Sequence, residues 1–155
     1  MDESSPGSDL DLLEELRRHR AELRESMGAL EDALAAPATS DGSRWTQRVE
    51  AALAEVAGDF RAHVDITEGP KGLHVELLEA SPRLAGAVAD LTRDHLLIGG
   101  RIDDLLTRVA GPETTAPADE VRTAATVLLG RLVRHRQRGA DLVFEAYEFD
   151  IGGET

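Results

Sequence analysis

The sequence predicts an all-α protein, an up-down-up-down four-helix bundle with a short connecting helix between its second and third long helices. Three observations lead there. Leu, Ala, Glu and Arg dominate while aromatic residues make up 3% of the chain, a composition that favours helices over strands. Apolar residues recur at steps of three and four over four long stretches, the period of a helix that buries one face. The links between those stretches are mostly short and rich in Gly, Pro and Ser, which makes successive helices antiparallel neighbours.

Each element has its own signals. The first helix, about 10–36, carries Leu12, Leu16, Leu23, Leu30 and Leu34 on one face with His19 between Leu16 and Leu23; Asp9 can cap its start and Pro37 stops it. After the turn-forming PATSDGS, Ser43 can cap a second helix of about 44–67, lined by Trp45, Val49, Leu53, Val56, Phe60 and His63. The run from Glu68 to Gly72 breaks it, and Leu73 to Ala80 forms the short connecting helix. From Ser81-Pro82, a cap followed by proline at the first helical position, Leu84, Val88, Leu91, His95, Ile98, Ile102, Leu105 and Val109 define a third helix that ends at Gly111-Pro112. Beyond GPETTAPAD, Val121, Ala125, Leu128, Leu132, His135, Leu142 and Phe149 mark the fourth, with Gly152-Gly153 past its end. At 155 residues the chain fits one domain. The bundle is expected over 9–150, between a disordered acidic tail at 1–8 and a short tail at 151–155.

Charge narrows the partners. A formal net charge of −13, with the arginines interleaved among acids, repels phosphate backbones and anionic lipid, so neither nucleic acid nor a membrane is expected as a partner. There is no cysteine, which excludes disulfides, thiolate metal sites and cysteine nucleophiles. MDESSPGSDLD lacks the basic and apolar regions of a secretory signal, and no apolar run is long enough to span a bilayer. A cytoplasmic location is expected.

His19, His63, His95 and His135 fall one per long helix, each at an apolar-face position. Counted from the end that holds the first and last interhelical turns, they differ in height by about four residues, roughly 6 Å at 1.5 Å per residue. Four imidazoles are therefore expected in one core layer. Left unpaired, each would cost about 1–3 kcal/mol. A shared cation removes that cost; a buried network of histidines and carboxylates is the alternative. His74, on the connecting helix, reads as surface.

Among the acids, Glu68 is the first choice as a ligand, five residues after His63. Glu22, Asp59, Asp141 and Glu145 follow as additional ligands or as partners that orient an imidazole. Carboxylate in the donor set would favour iron or manganese, imidazole alone zinc or copper. Gly99 and Gly100, in RDHLLIGG, cost roughly 1 kcal/mol each relative to alanine inside a helix. Gly99 either leaves a pocket beside the histidines or permits close packing or a kink. Phe144, Tyr147 and Phe149 are expected to close the core with Trp45 and Phe60.

The segments LLEELRRHRAEL, FRAHVDITEG, LTRDHLLIGGRIDDL and LVRHRQRGADLVFEAYE together resemble the hemerythrin-like HHE cation-binding family over about 10–150. That resemblance implies a non-heme iron centre with histidine and carboxylate ligands, and a part in oxygen binding or in iron, oxygen, nitric oxide or peroxide responses. His19, His63, His95 and His135 match the family's histidines, and Glu68 approximates its second-helix carboxylate. Three places depart from the pattern: Thr67 stands four residues after His63 where the family has glutamate, Gly99 stands where a second third-helix histidine is usual, and Gly139 and Ala140 stand where the fourth-helix acid belongs. A dinuclear site, a mononuclear site and a degenerate one all stay open on this reading.

The expectation is a metal-binding protein with a non-heme iron site, or another divalent metal, that takes oxygen or another small ligand. Its alternative is a metal-free bundle whose acidic surface engages a basic protein partner. No Ser-His-Asp pattern, phosphate-cradling loop or dinucleotide fingerprint points to another enzyme class.

Overall fold

The computed structural model describes the backbone of residues 6–38, 42–110 and 116–149. Four long helices, α1 (Pro6–Ala35), α2 (Gly42–Glu68), α4 (Ala85–Val109) and α5 (Ala118–Phe144), form the bundle. The short α3 (Leu73–Ala80) and a 3-10 turn, Pro82–Leu84, join α2 to α4. A π-helical turn, Glu145–Phe149, continues α5. Around the bundle α1 packs on α2, α2 on α4, α4 on α5, and α5 back on α1. This is the predicted four-helix architecture.

The differences from expectation are local. Helix α1 begins at Pro6, so Asp9 lies inside it and part of the expected tail is helical; Pro6 serves as a first-turn proline, whose missing N–H costs nothing there. Helix α2 begins at Gly42, which places Ser43 within it. Ser81 makes no side-chain cap, and the third long helix is preceded by the 3-10 turn. Residues 1–5, 39–41, 111–115 and 150–155, which include Gly111-Pro112 and Gly152-Gly153, lie outside the described residues.

The core has two apolar clusters. The larger holds Leu23, Leu30, Trp45, Leu53, Ile98, Ile102, Leu128 and Leu132 among its residues. The smaller, at the other end, gathers Leu77, Leu84, Val88, Leu91, Leu142 and Ala146. At the far end of the larger cluster Arg122 of α5 donates to the carbonyls of Leu34 and Ala36 at 2.9 and 3.0 Å, satisfying acceptors left open where α1 stops. Its guanidinium also lies 4.9 Å from the Trp45 ring centre, a cation–π contact. Trp45 and Phe60 are buried as expected, and Tyr147 packs against the smaller cluster. Phe144 does not close the core: it is 57% exposed, because the inward positions at this end of α5 are taken by Leu142 and Ala146. The Phe149 side chain lies outside the described residues.

The two clusters meet at the histidines. On α4, His95 lies between Leu91 of the smaller cluster and Ile98 of the larger; on α5, His135 lies between Leu132 of the larger and Leu142 of the smaller. A polar layer thus interrupts the apolar interior at one height.

Candidate metal centre

His63 of α2, His95 of α4 and His135 of α5 bring one ring nitrogen each to within 4.8 Å of the others. Every one occupies an inward position, three residues from an apolar core residue: Phe60 before His63, Ile98 after His95 and Leu132 before His135. The Phe60 ring backs all three, its centre 5.8–6.4 Å from theirs. This wall keeps the cluster apolar on the side of the larger core.

The outer ring nitrogens have carboxylate partners. His95 Nδ1 lies 2.5 Å from Glu68 Oε2, and His135 Nδ1 lies 3.3 Å from Asp94 Oδ2, an acid also held by Arg138 at 3.0 Å. Protons on those Nδ1 atoms leave both Nε2 atoms as lone-pair donors. His63 Nε2 and His135 Nε2 face each other at 3.2 Å, while His95 Nε2 is buried with no hydrogen-bond partner. Without a metal, the single His63 Nε2 proton can serve only one of the other two nitrogens. A cation in the proton's place would take all three lone pairs.

The His63–His135 distance suits that exchange. Two imidazole nitrogens bound at about 2.0–2.1 Å to one tetrahedral ion sit roughly 3.3 Å apart, and the His63–His135 separation is 3.2 Å. Protonation states suit it too. Burial, followed by His95, His135, His74 and Arg20, lowers the His63 pKa to about 3. Burial and then His95 also lower that of His135, against the pull of Asp94. Both rings are therefore neutral near pH 7, the form in which imidazole binds metal.

The other expected site residues lie elsewhere. Glu68 stands on the outer nitrogen of His95 instead of among the convergent atoms. His19 lies outside the three-histidine group, with Nδ1 3.6 Å from Glu22 Oε2. At this height α1 turns Leu16, Arg20 and Leu23 toward the histidines, so the expected layer of four becomes a layer of three. Asp59 is partly exposed on α2 and does not join the group. Asp141 accepts from Gln137 at 2.8 Å, and Glu145 pairs with Arg83 at 2.9 Å. Gly99 does not line the cavity beside the histidines, and a Cβ there would stand in ordinary contact, 3.9 Å from the Phe60 ring.

His74 corrects the sequence reading most directly. Expected at the surface, it is 7% exposed, and its ring lies parallel to that of His95, 5.6 Å between centres. The chain can fold back this sharply because Gly72 has no side chain: a Cβ would lie 2.6 Å from the Ile66 carbonyl oxygen and 2.8 Å from that of Thr67. Thr92 Oγ1 approaches His74 Nδ1 at 3.4 Å, and burial, then His95, lowers the His74 pKa to about 4 despite Glu68 nearby. Sequence reasoning also missed Asp94, although an acid directly before a core histidine in RDHLL was a signal for a partner on the neighbouring helix. At the position of the family's glutamate, Thr67 is buried and its hydroxyl donates to the His63 carbonyl at 2.8 Å.

An antiparallel helical bundle with buried and half-buried imidazoles converging from three helices defines a class of core metal-binding proteins. The model of the hemerythrin HHE cation binding domain matches residues 11–147, and the chain belongs to that family. No curated protein and no solved structure matches it.

Proposed function

We propose that the chain binds one non-heme iron ion through His63, His95 and His135, with Glu68 and Asp94 orienting His95 and His135 from outside. The observation that carries this reading is the buried, partnerless Nε2 of His95 beside the facing Nε2 atoms of His63 and His135. Three convergent donors suit one ion better than two, and a mononuclear site agrees with the positions where the family's carboxylates are missing. The metal would act as a Lewis-acidic or redox-active centre. A cavity of about 50 Å³ adjoins the histidines, lined in part by Leu23, Thr67, Leu91 and Gly139. Liquid water takes about 30 Å³ per molecule, so the space suits oxygen or a ligand of similar size. The role follows as sensing or binding of oxygen, or handling of iron, in the cytoplasm.

A second reading rests on the donor set. Imidazole alone favours zinc or copper over iron, and the convergent group includes no carboxylate. Elemental analysis by plasma mass spectrometry on protein expressed with iron and purified without chelators, together with its ultraviolet-visible spectrum, separates the two. About one iron per chain with near-ultraviolet charge-transfer absorption supports the iron site, and one zinc with no such absorption supports the second reading. No metal after attempted reconstitution with either ion defeats both and turns attention to a protein partner for the acidic surface.

A further inference from the structure

A groove of about 560 Å³ runs between α1 and α5, lined by Arg17, Arg20, Ala21, Arg24 and Glu25 of α1 and by Arg136 of α5. Arg17, Arg20 and Arg24 recur at steps of three and four, which places them along one face of their helix. Arg136 faces them from across the groove. Four guanidinium groups and one carboxylate thus meet in a chain whose acids outnumber its bases 30 to 17.

Outside the groove some arginines are ion-paired. Arg83, Arg108, Arg122 and Arg138 pair with Glu145, Glu120, Asp119 and Asp94. Among the described residues, Arg17, Arg20, Arg24 and Arg136 make no ion pair, and the Nε of Arg136 is buried without an acceptor. A solvated basic face would spread its charges into water; this one is concave and draws a guanidinium inward without a counter-ion.

We propose that this groove binds a small oxoanion of the phosphate type through Arg17, Arg20, Arg24 and Arg136. Guanidinium forks match the oxygen spacing of such anions and bind them in bidentate fashion. Arg20 and Arg136 also line the cavity beside the histidines, so the groove backs onto the candidate metal centre. The binding needs no metal and stands or falls separately from the iron reading.

Isothermal titration of inorganic pyrophosphate into the 155-residue chain tests it, with metal content measured on the same samples. The wild type should bind at low salt and more weakly as salt rises. Arg24→Gln and Arg136→Gln should each weaken binding about tenfold or more with helicity unchanged, and Arg48→Gln, outside the groove, should leave it as it was. Arg24 is exposed, so its variant reads charge without disturbing the core. Equal affinity in Arg24→Gln, Arg136→Gln and wild type overturns the proposal, as does the absence of binding. Binding that survives both substitutions and disappears on chelation would place the anion on the metal, and also overturns it. Citrate that binds as tightly as pyrophosphate, with the same dependence on Arg24, would support the groove and widen its ligands to carboxylates.

Discussion

Glu68 Oε2, at the end of α2, lies 2.5 Å from His95 Nδ1 of α4. This contact fixes which nitrogen of His95 faces the cluster, and a carboxylate on the outer nitrogen raises the basicity of the inner one. Glu68→Ala should therefore weaken metal binding by about 10- to 100-fold while leaving the stoichiometry intact. Competition against a chelator of known affinity measures the change. Unchanged affinity would remove Glu68 from the site, and complete loss of metal would make it a ligand itself.

The three convergent imidazoles and His19 should separate cleanly. His63→Ala, His95→Ala and His135→Ala should each lower the metal bound per chain and the thermal stability of the loaded protein, with less effect on the metal-free form. His19→Ala should keep full metal content, because its ring stands apart from the group. Elemental analysis with paired melting curves checks both statements. Loss of metal in His19→Ala would return that residue to the ligand set.

The long helices were legible because Leu, Val and Ile mark a face that repeats over many turns, as from Val88 to Val109. The site was legible only in part. An inward position specifies a stripe about 100° wide, which does not distinguish a ring aimed at the bundle axis, such as His95, from one at its flank, such as His19. His74 escaped because eight residues of α3 give no usable period, and its burial comes from tertiary folding about Gly72. Asp94 escaped for the opposite reason. One step along a helix turns a side chain by about 100°, so an acid next to a buried histidine reads as exposed unless the adjoining helix, here α5, supplies its partner.

Stability of the metal-free protein should depend on pH in a definite direction. In the folded chain the pKa of His63 is lowered to about 3 and that of His74 to about 4, while the unfolded chain keeps values near 6.5. Between those limits the unfolded state binds more protons, so folding stability is fully present above about pH 6.5 and is lost as pH falls through about 4 toward 3. One such histidine approaches about 1.4 kcal/mol per pH unit. Melting temperatures of chelator-treated protein should fall by several degrees from pH 7 to pH 5, and His63→Gln should flatten that fall. A midpoint independent of pH over this range would mean that the imidazoles protonate without penalty and are open to water.

Gly99 and Gly72 should respond to alanine in opposite directions. At Gly99 the added carbon meets only the Phe60 ring, at an ordinary 3.9 Å, inside a helix where glycine is about 1 kcal/mol worse than alanine. Gly99→Ala should raise the melting temperature and leave metal content unchanged. At Gly72 the same carbon would press on two backbone carbonyls at 2.6 and 2.8 Å. Those oxygens belong to the last turn of α2 and cannot move without shifting Glu68 and His74 with them. Gly72→Ala should therefore cost about 1–3 kcal/mol, as overpacking does elsewhere, and should also weaken metal binding through Glu68. Thermal melts and chelator competition on the two variants provide the comparison. Destabilisation by Gly99→Ala would show that space beside Phe60 is needed after all; a neutral Gly72→Ala would show that the turn can open without disturbing the site.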